Sequence, residues 1–217
     1  MFQSILCLTG LSGAGKSTVC RLAESYGLAT VYTADVARLV LAGRVPRDKL
    51  SYGEYFAHPE GLVAAVLEFA VDTCCRSETL VLDSLRSAEE WRWVQTLPCH
   101  VWLVAIVCGH RERIRRLQGR DAADVSIIRQ RDENELGLRP GSRFTVGQLI
   151  GCADHYVDTS NATIDAAAQF RNILAEIGEA VVLRQTRLEQ AHDHTRAPID
   201  VAFADGSSAH ALDWPRN

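Results

Sequence analysis

Lysine is almost missing from this chain of 217 residues: it occurs only at Lys16 and Lys49, and every other strong cation is an arginine. One of the two stands inside the glycine-rich stretch Gly10-Leu11-Ser12-Gly13-Ala14-Gly15-Lys16-Ser17, so its placement there calls for a chemical reason. An excess of positive charge is missing too. The formal net charge is −4, which gives no electrostatic case for a nucleic-acid partner. No run of about 18 apolar residues occurs, so no membrane span is expected. The seven cysteines (Cys7, Cys20, Cys74, Cys75, Cys99, Cys108, Cys152) form no C-x-x-C pair, and Cys74 and Cys75 are adjacent. That spacing suits neither a zinc site nor an ordinary disulfide. Most of the cysteines lie in apolar runs, which predicts buried, reduced thiols and a reducing, cytoplasmic compartment. The first residues, Met1 to Leu8, lack a basic start, and no signal peptide is expected. Neither lysine stands in an N-K-x-D segment, which argues against a guanine-nucleotide switch. There is no internal repeat and no low-complexity stretch.

What remains is an ordinary composition, 47% apolar and 23% charged. A chain of this length can bury about 70% of the surface its unfolded state exposes, so it needs no disulfide staples. Apolar runs and helical periodicities alternate along it. Strands are predicted over Phe2–Thr9, Ala29–Thr33, Thr79–Asp83, His100–Val107 and Ala153–Thr159. Helices are predicted over Ser17–Tyr26, Asp35–Ala42, much of Pro46–Arg76 with a break near His58-Pro59, Ser87–Thr96, His110–Gln118, Ser126–Leu136, Phe144–Cys152 and Thr163–Ile177. Strands alternating with helices imply right-handed crossovers between parallel strands, hence a three-layer α/β/α sandwich with a five-stranded parallel sheet. The pattern fades beyond about Arg184. Residues 1–184 are therefore expected to form one domain and residues 185–217 an appendage.

The spacing G-x-x-x-x-G-K-S, between a predicted strand and a predicted helix, is that of a phosphate-binding loop. Glycines let backbone N–H groups turn inward around phosphates, and the helix that follows adds the partial positive charge of its N-terminus. Gly13, Ala14, Gly15, Lys16, Ser17 and Thr18 are thus expected to hold the phosphates of ATP, with Lys16 at the β/γ-phosphates and the Ser17 hydroxyl on Mg²⁺. Asp83, ending the third strand beside the loop, is the expected second metal ligand; a strand-end turn residue or helix cap is the plainer alternative. His58, His155 and the His192/His194 pair have no cysteine or paired-carboxylate spacing and are read as ordinary surface histidines. Trp91, Trp93 and Trp102 are read as packing residues.

Further segments carry a resemblance. Thr33-Ala34-Asp35-Val36-Ala37-Arg38 resembles the T-G-D-x-x-R segment of adenylate kinases and the D-A-D-x-x-A-R segment of dephospho-coenzyme A kinases. Leu82-Asp83-Ser84-Leu85-Arg86-Ser87 resembles the L-D-G-F-P-R of adenylate kinases and, more nearly, the I-D-G-I-R-S of archaeal nucleotide-kinase-like P-loop proteins. Arg116-Leu117-Gln118-Gly119-Arg120-Asp121 resembles the start of the lid of these kinases, and Arg131 to Leu136, Leu149 to Asp154 and Ser160 to Thr163 continue the likeness to the archaeal group. The resemblance runs in order from about residue 4 to about residue 177. It implies a P-loop nucleoside monophosphate kinase-like fold with an acceptor arm at about 35–76 and a lid at about 110–143.

By the same resemblance, Arg38 and Arg86 grip the acceptor's phosphate, Thr33 lies beside its base, and Asp35 stands near the reacting oxygen or the metal. Arg116 and Arg120 close over the transferring phosphoryl group. Arginine suits such positions because it is permanently charged and binds phosphate oxygens in a fork. Arg111, Arg113 and Arg115 are expected on a solvated charged helix face, Arg129 and Arg131 either there or at phosphate, and Asn161 as a helix cap. The function implied is ATP-dependent phosphoryl transfer to a nucleoside or deoxynucleoside monophosphate, a small-molecule nucleotide acceptor. The alternatives are a kinase for another small acceptor, such as dephospho-coenzyme A or a modified nucleotide, and a nucleotide-binding regulatory ATPase or switch.

Overall fold

The structure, a computed structural model, describes residues 2–33, 36, 66, 67, 70, 78–121, 124–160 and 165–178. Its strands are β1 (Ser4–Thr9), β2 (Ala29–Tyr32), β3 (Thr79–Asp83), β4 (His100–Val107) and β5 (His155–Asp158). They form one five-stranded sheet in the order β2-β3-β1-β4-β5, with every pairing parallel. The three middle strands are covered on both faces, which is why their sequences read as unbroken apolar runs instead of alternating patterns.

The pleat sends alternate side chains into two cores. Ile5 and Cys7 of β1, Leu80 and Leu82 of β3 and Leu103 of β4 pack on one face with Trp91, Val94 and Leu149. Leu6 and Leu8 of β1, Val81 of β3 and Val104 and Ile106 of β4 pack on the other with Val19, Cys20, Phe170, Ile173 and Ile177. The helices that supply these partners are α1 (Lys16–Ser25), α2 (Ala88–Val94), α3 (His110–Asp121), α4 (Val125–Glu135), α5 (Val146–Gly151) and α6, described over residues 166–178. Helices α1 and α6 cover one face and α2 and α5 the other, giving the three layers expected of alternating elements. Trp91 and Trp93 pack in the first core and Trp102 against the second, as packing residues.

Several boundaries differ from expectation for local reasons. Strand β5 begins at His155 because Asp154 turns the chain: its N–H donates to the Leu103 carbonyl at 2.9 Å and its carboxylate accepts from the Leu103 N–H at 2.8 Å. Helix α2 begins at Ala88, where Ser87 and Glu90 form a reciprocal capping box. Helix α3 continues through Gly119 to Asp121. The expected helices at 35–42 and 46–76 lie outside the described residues except for Val36, Val66, Leu67 and Ala70, which are helical and buried in the first core. The appendage at 185–217 lies outside them entirely. No helix among the described residues is long and apolar enough to cross a membrane.

Because all strands run the same way, the carboxyl ends of β1, β3, β4 and β5 share one edge of the sheet. Ligands of open α/β sheets bind in the crevice outside that edge. The glycine-rich loop, Asp83, Cys108 and Thr159 all stand there.

Candidate functional site

The loop leaves β1 at Gly10, whose backbone approaches β4 so closely that a Cβ would lie 2.3 Å from the Ile106 carbonyl oxygen, at φ 140°. It ends at Gly15, the N-cap of α1. That helix begins with no side-chain cap and no acidic residue in its first turn. The contrast with its neighbours is direct: α2 carries a full capping box with Glu89 and Glu90 in its first turn, and α4 is capped by Asp124. The first N–H groups of a helix have no intrahelical acceptor. In α1 neither a side-chain cap nor first-turn acid meets them, so the terminus keeps its positive partial charge for an anion. Ser17 and Thr18 are exposed on that first turn.

Lys16 folds back along the loop. Its ammonium donates to the carbonyl of Gly10 at 2.7 Å and to that of Leu11 at 3.4 Å. Burial lowers its pKa; the carboxylates of Asp83 and then Glu135 push the other way, and the Arg86 guanidinium adds to the lowering. These four side chains therefore share one electrostatic neighbourhood. Asp83 reaches it because β3 pairs with β1 in a register that sets Asp83 against Leu8. Beyond β3, the Leu85 N–H donates to the Leu8 carbonyl at 2.8 Å and the Thr9 hydroxyl donates to the Leu85 carbonyl at 3.1 Å. Thr33 donates its hydroxyl to the Asp83 carbonyl.

Arg86 is exposed as a side chain but fixed as backbone. Its N–H donates to Glu90 Oε2 at 2.5 Å, its carbonyl accepts from the Thr145 N–H at 2.8 Å, and its guanidinium lies 5.7 Å from the centre of the Phe144 ring. Glu90, 2% exposed, accepts from the N–H groups of both Arg86 and Ser87 on the same oxygen. Burial raises its carboxyl to about 7, against the pull of those two N–H groups and of the Arg86 charge.

Helix α3 flanks the loop. A Cβ on Gly13 would stand 2.9 Å from Leu117 Cγ and 3.1 Å from Arg113 Cγ, so only glycine lets the helix lie this close. Arg113, expected on a solvated face with Arg111 and Arg115, is instead 3% exposed. It forks onto Asp132 of α4 at 2.8 and 2.5 Å and donates to the Ser12 carbonyl at 2.9 Å. The correction has a simple cause: Arg113 and Leu117, four residues apart, share the helix face that turns to the loop. Arg111 and Arg115 are exposed, and Arg115 pairs with Glu112.

Arg116 lies on the loop's other flank. It donates to Glu112 at 2.8 Å and to the hydroxyl and carbonyl oxygens of Thr159, whose own hydroxyl donates to the Ala14 carbonyl at 2.5 Å. Arg120 is turned outward and pairs with Asp121 at 2.6 Å; Arg131 pairs with the same carboxylate at 3.2 Å. Glu112 and Asp121 are each held down to about 2, first by hydrogen bonds from Arg115 and Arg120 respectively. The structure thus brings Lys16, Asp83, Arg86 and Thr33 to one end of the sheet edge and Arg116 to the α1 side of the loop. It does not bring Arg120 to the loop. Asp35, Arg38, His58, Asn161, His192 and His194 lie outside the described residues. His155 is half-buried beside Glu176, at 3.6 Å, and Trp102.

Sequence reasoning missed Glu135. Its carboxylate, 8% exposed, accepts from the Ser12 N–H at 2.8 Å and from the Ser12 hydroxyl at 2.5 Å. A readable signal existed in its spacing from Asp132, three residues earlier on one face of α4, but helices rich in charge usually display such pairs to solvent.

Known proteins share the sequence and the fold. The chain is 29% identical to a UPF0200 protein of Methanocaldococcus jannaschii over 185 residues, covering 80% of this chain and 90% of that one. It is 28% identical to a UPF0200 protein of Pyrobaculum aerophilum over 184 residues, covering 82% and 97%. Among solved structures, TT1252 of Thermus thermophilus shares the fold with a TM-score of 0.57 and 18% identity, over 81% of this chain and 98% of that one. A gluconokinase of Sinorhizobium meliloti does so with a TM-score of 0.51 and 17% identity over 86% and 98%. An APS kinase of Mycobacterium tuberculosis, solved with AMPPNP and APS, gives 0.51 and 14% over 82% and 98%. The chain therefore shares its fold with these three solved structures, two of which are kinases. A family described as AAA domain matches residues 6–137, more than half of the chain. The loop, Asp83, Arg86, Arg113 and Glu135 all fall inside that stretch, and on it the chain belongs to the AAA domain family.

Proposed function

We propose that this chain is an ATP-dependent kinase that transfers the γ-phosphoryl group of ATP to a nucleoside or deoxynucleoside monophosphate. One observation carries the reading: a half-buried lysine at an uncapped helix N-terminus shares its electrostatic neighbourhood with the strand-end carboxylate of Asp83 and with a second cation, Arg86. A loop that only bound ATP has no use for that second cation. An acceptor that itself carries a phosphate does.

In this reading Gly13, Ala14, Gly15, Lys16, Ser17 and Thr18 surround the α- and β-phosphates, and Lys16 reaches the γ-phosphate. Ser17 and Asp83 would hold Mg²⁺, and their oxygen donors fit that hard cation. Magnesium, when bound, neutralises charge on the β- and γ-oxygens. Arg86 holds the acceptor's phosphate in line with the γ-phosphorus, Thr33 flanks its base, and Asp35 and Arg38 complete the acceptor pocket. An acceptor phosphate oxygen attacks the γ-phosphorus, the bond from that phosphorus to the β-bridging oxygen breaks, and ADP leaves. Arg116 guards the nucleotide from the α1 side, and Arg120 exchanges Asp121 for the transferring group on closure. Phosphoryl transfer asks the protein for positioning and charge neutralisation rather than covalent chemistry, which these residue types supply. The solvent-soluble substrates and the thiols fit a cytoplasmic enzyme.

The test is ADP production from ATP–Mg²⁺ against ribo- and deoxynucleoside monophosphates and dephospho-coenzyme A, with Lys16→Ala as the blank. One acceptor raising turnover by orders of magnitude names the substrate. A flat panel with ATP binding intact replaces this reading with that of a nucleotide-binding switch.

A further inference from the structure

Ser12 has its N–H, its hydroxyl and its carbonyl all engaged by side chains from outside the loop. Glu135 takes the first two, at 2.8 and 2.5 Å, and Arg113 donates to the third at 2.9 Å. Such a grip on a phosphate-loop residue needs an account, because the loop's polar groups are what a nucleotide binds.

The position of Ser12 along the loop supplies one. The Lys16 ammonium lies beneath the carbonyls of Gly10 and Leu11, and the lysine of such a loop meets the β- and γ-phosphates. The far end of the loop, at Gly15, is the start of α1, where the phosphates nearer the sugar sit. Residues 10 to 12 therefore flank the place of the third phosphate, and Glu135 stands at that end. Glu135 and Asp83 are the two carboxylates whose charge favours the buried Lys16 ammonium. A third phosphate brings its own negative oxygens to the same ammonium and to the same Ser12 donors. Two anions cannot share one set of donors in a partly dehydrated site.

We infer that Glu135 is a triphosphate-sensing latch: its carboxylate holds the Ser12 end of the phosphate loop to α4, a nucleotide's third phosphate displaces it, and a diphosphate leaves it in place. This rests on the loop being the ATP site proposed above. It extends that proposal from what the site binds to how the site tells ATP from ADP. The segment that follows Glu135 also bears on the acceptor arginine. It contains Phe144, whose ring underlies the Arg86 guanidinium, and Thr145, which is bonded to the Arg86 carbonyl and to the Ala88 N–H.

The experiment is calorimetric titration of the full chain with AMPPNP–Mg²⁺ and with ADP–Mg²⁺, for wild type and Glu135→Gln. Glutamine keeps the shape and can hydrogen-bond both Ser12 groups, but it carries no charge. The expected result is AMPPNP binding tightened about 10-fold, with ADP binding changed less than about twofold. Equal changes for both nucleotides, or none, overturn the latch. If Glu135→Gln shows no cooperative thermal transition, Glu135→Ala, which frees both Ser12 donors, decides on the same ratio, with tightening expected for AMPPNP alone. Hydrogen exchange of the wild type adds an independent reading: amides of residues 132–136 should exchange faster with AMPPNP than with ADP, and equal exchange overturns the proposal. No acceptor enters these measurements. A protein that binds both nucleotides yet phosphorylates nothing overturns the kinase reading alone, and one that binds neither overturns both.

Discussion

The guanidinium of Arg113 meets the carboxylate of Asp132 through two hydrogen bonds, 2.8 and 2.5 Å long, with the residues 3% and 7% exposed. One of those guanidinium nitrogens also reaches the Ser12 carbonyl at 2.9 Å, so a pair between two helices doubles as a support for the phosphate loop. Buried pairs of this kind add little compared with an apolar pair of the same volume, but breaking one leaves an uncompensated buried charge. Asp132→Ala should therefore cost about 3–5 kcal/mol in urea unfolding. The double variant Arg113→Met/Asp132→Leu should regain most of that loss while still lowering ATP affinity, because the Ser12 carbonyl loses its donor. A double variant as unstable as Asp132→Ala would show that the destabilisation comes from lost packing and not from stranded charge.

Lys16 should behave oppositely in stability and in activity. Burial lowers its pKa, which means that folding disfavours the charged form despite the help of Asp83 and Glu135. Lys16→Met keeps the length of the chain and removes the charge that folding penalises. The melting temperature should stay level or rise, as it does where a functional group is held at a cost to stability. Turnover should fall by about 10²–10³, the usual effect of removing one preorganised electrostatic partner. Thermal melts and initial rates on the same preparations check both halves; a fall in stability would mean that the bonds to Gly10 and Leu11 outweigh the burial penalty.

Much of this was legible in the sequence, for identifiable reasons. The strands β1, β3 and β4 announce themselves as apolar runs because both faces are buried, and the loop because glycine, lysine and serine recur at a spacing that phosphate chemistry dictates. Asp83 could be placed because it ends a strand next to β1. Arg113 and Glu135 could not. Both sit in helices dense with Arg, Asp and Glu, where periodicity offers no apolar stripe to say which face turns inward. What buries them is the packing of α3 and α4 on the loop, a tertiary contact over more than a hundred residues of sequence for the Arg113–Ser12 and Glu135–Ser12 bonds. Arg116 and Arg120 are four apart and look alike in sequence, yet only Arg116 reaches Thr159.

Arg86 offers a test of the acceptor site that leaves the nucleotide site alone. Its backbone is held by Glu90 and Thr145 rather than by its own side chain, and the guanidinium is exposed over Phe144. Truncation should therefore leave the fold and the loop as they are. A charge-assisted contact to a phosphate contributes about 1.5–3 kcal/mol, so Arg86→Ala should raise the KM for the acceptor by about 10- to 100-fold. ATP affinity should change by less than about twofold. Equal losses for ATP and acceptor would sink the assignment of Arg86 to the acceptor.

Glu90 should give the fold a pH dependence of its own. Its carboxyl ordinarily titrates at 4.5, and burial raises it to about 7, so the folded protein holds a proton there that the unfolded chain has lost. Between those two values the folded state binds more protons than the unfolded state, and stability must fall as pH rises. The contribution is complete below about 4.5, declines through the interval and is gone above about 7. Both N–H donors, from Arg86 and Ser87, use the same oxygen, Oε2, which leaves Oε1 to carry the proton without breaking either bond. The shift corresponds to about 3 kcal/mol, using about 1.4 kcal/mol for each tenfold change in proton affinity. Glutamine mimics the protonated side chain: its carbonyl accepts the two N–H bonds and it never ionises. Glu90→Gln should thus match the wild type near pH 5, exceed it near pH 8, and show a flatter stability between the two. Glu112 and Asp121, held down to about 2, act only in more acid solution and do not blur this window. Urea unfolding of both proteins at pH 5 and pH 8 decides the matter; parallel pH profiles would mean that Glu90 is ionised in the folded state, with its two N–H donors outweighing its burial.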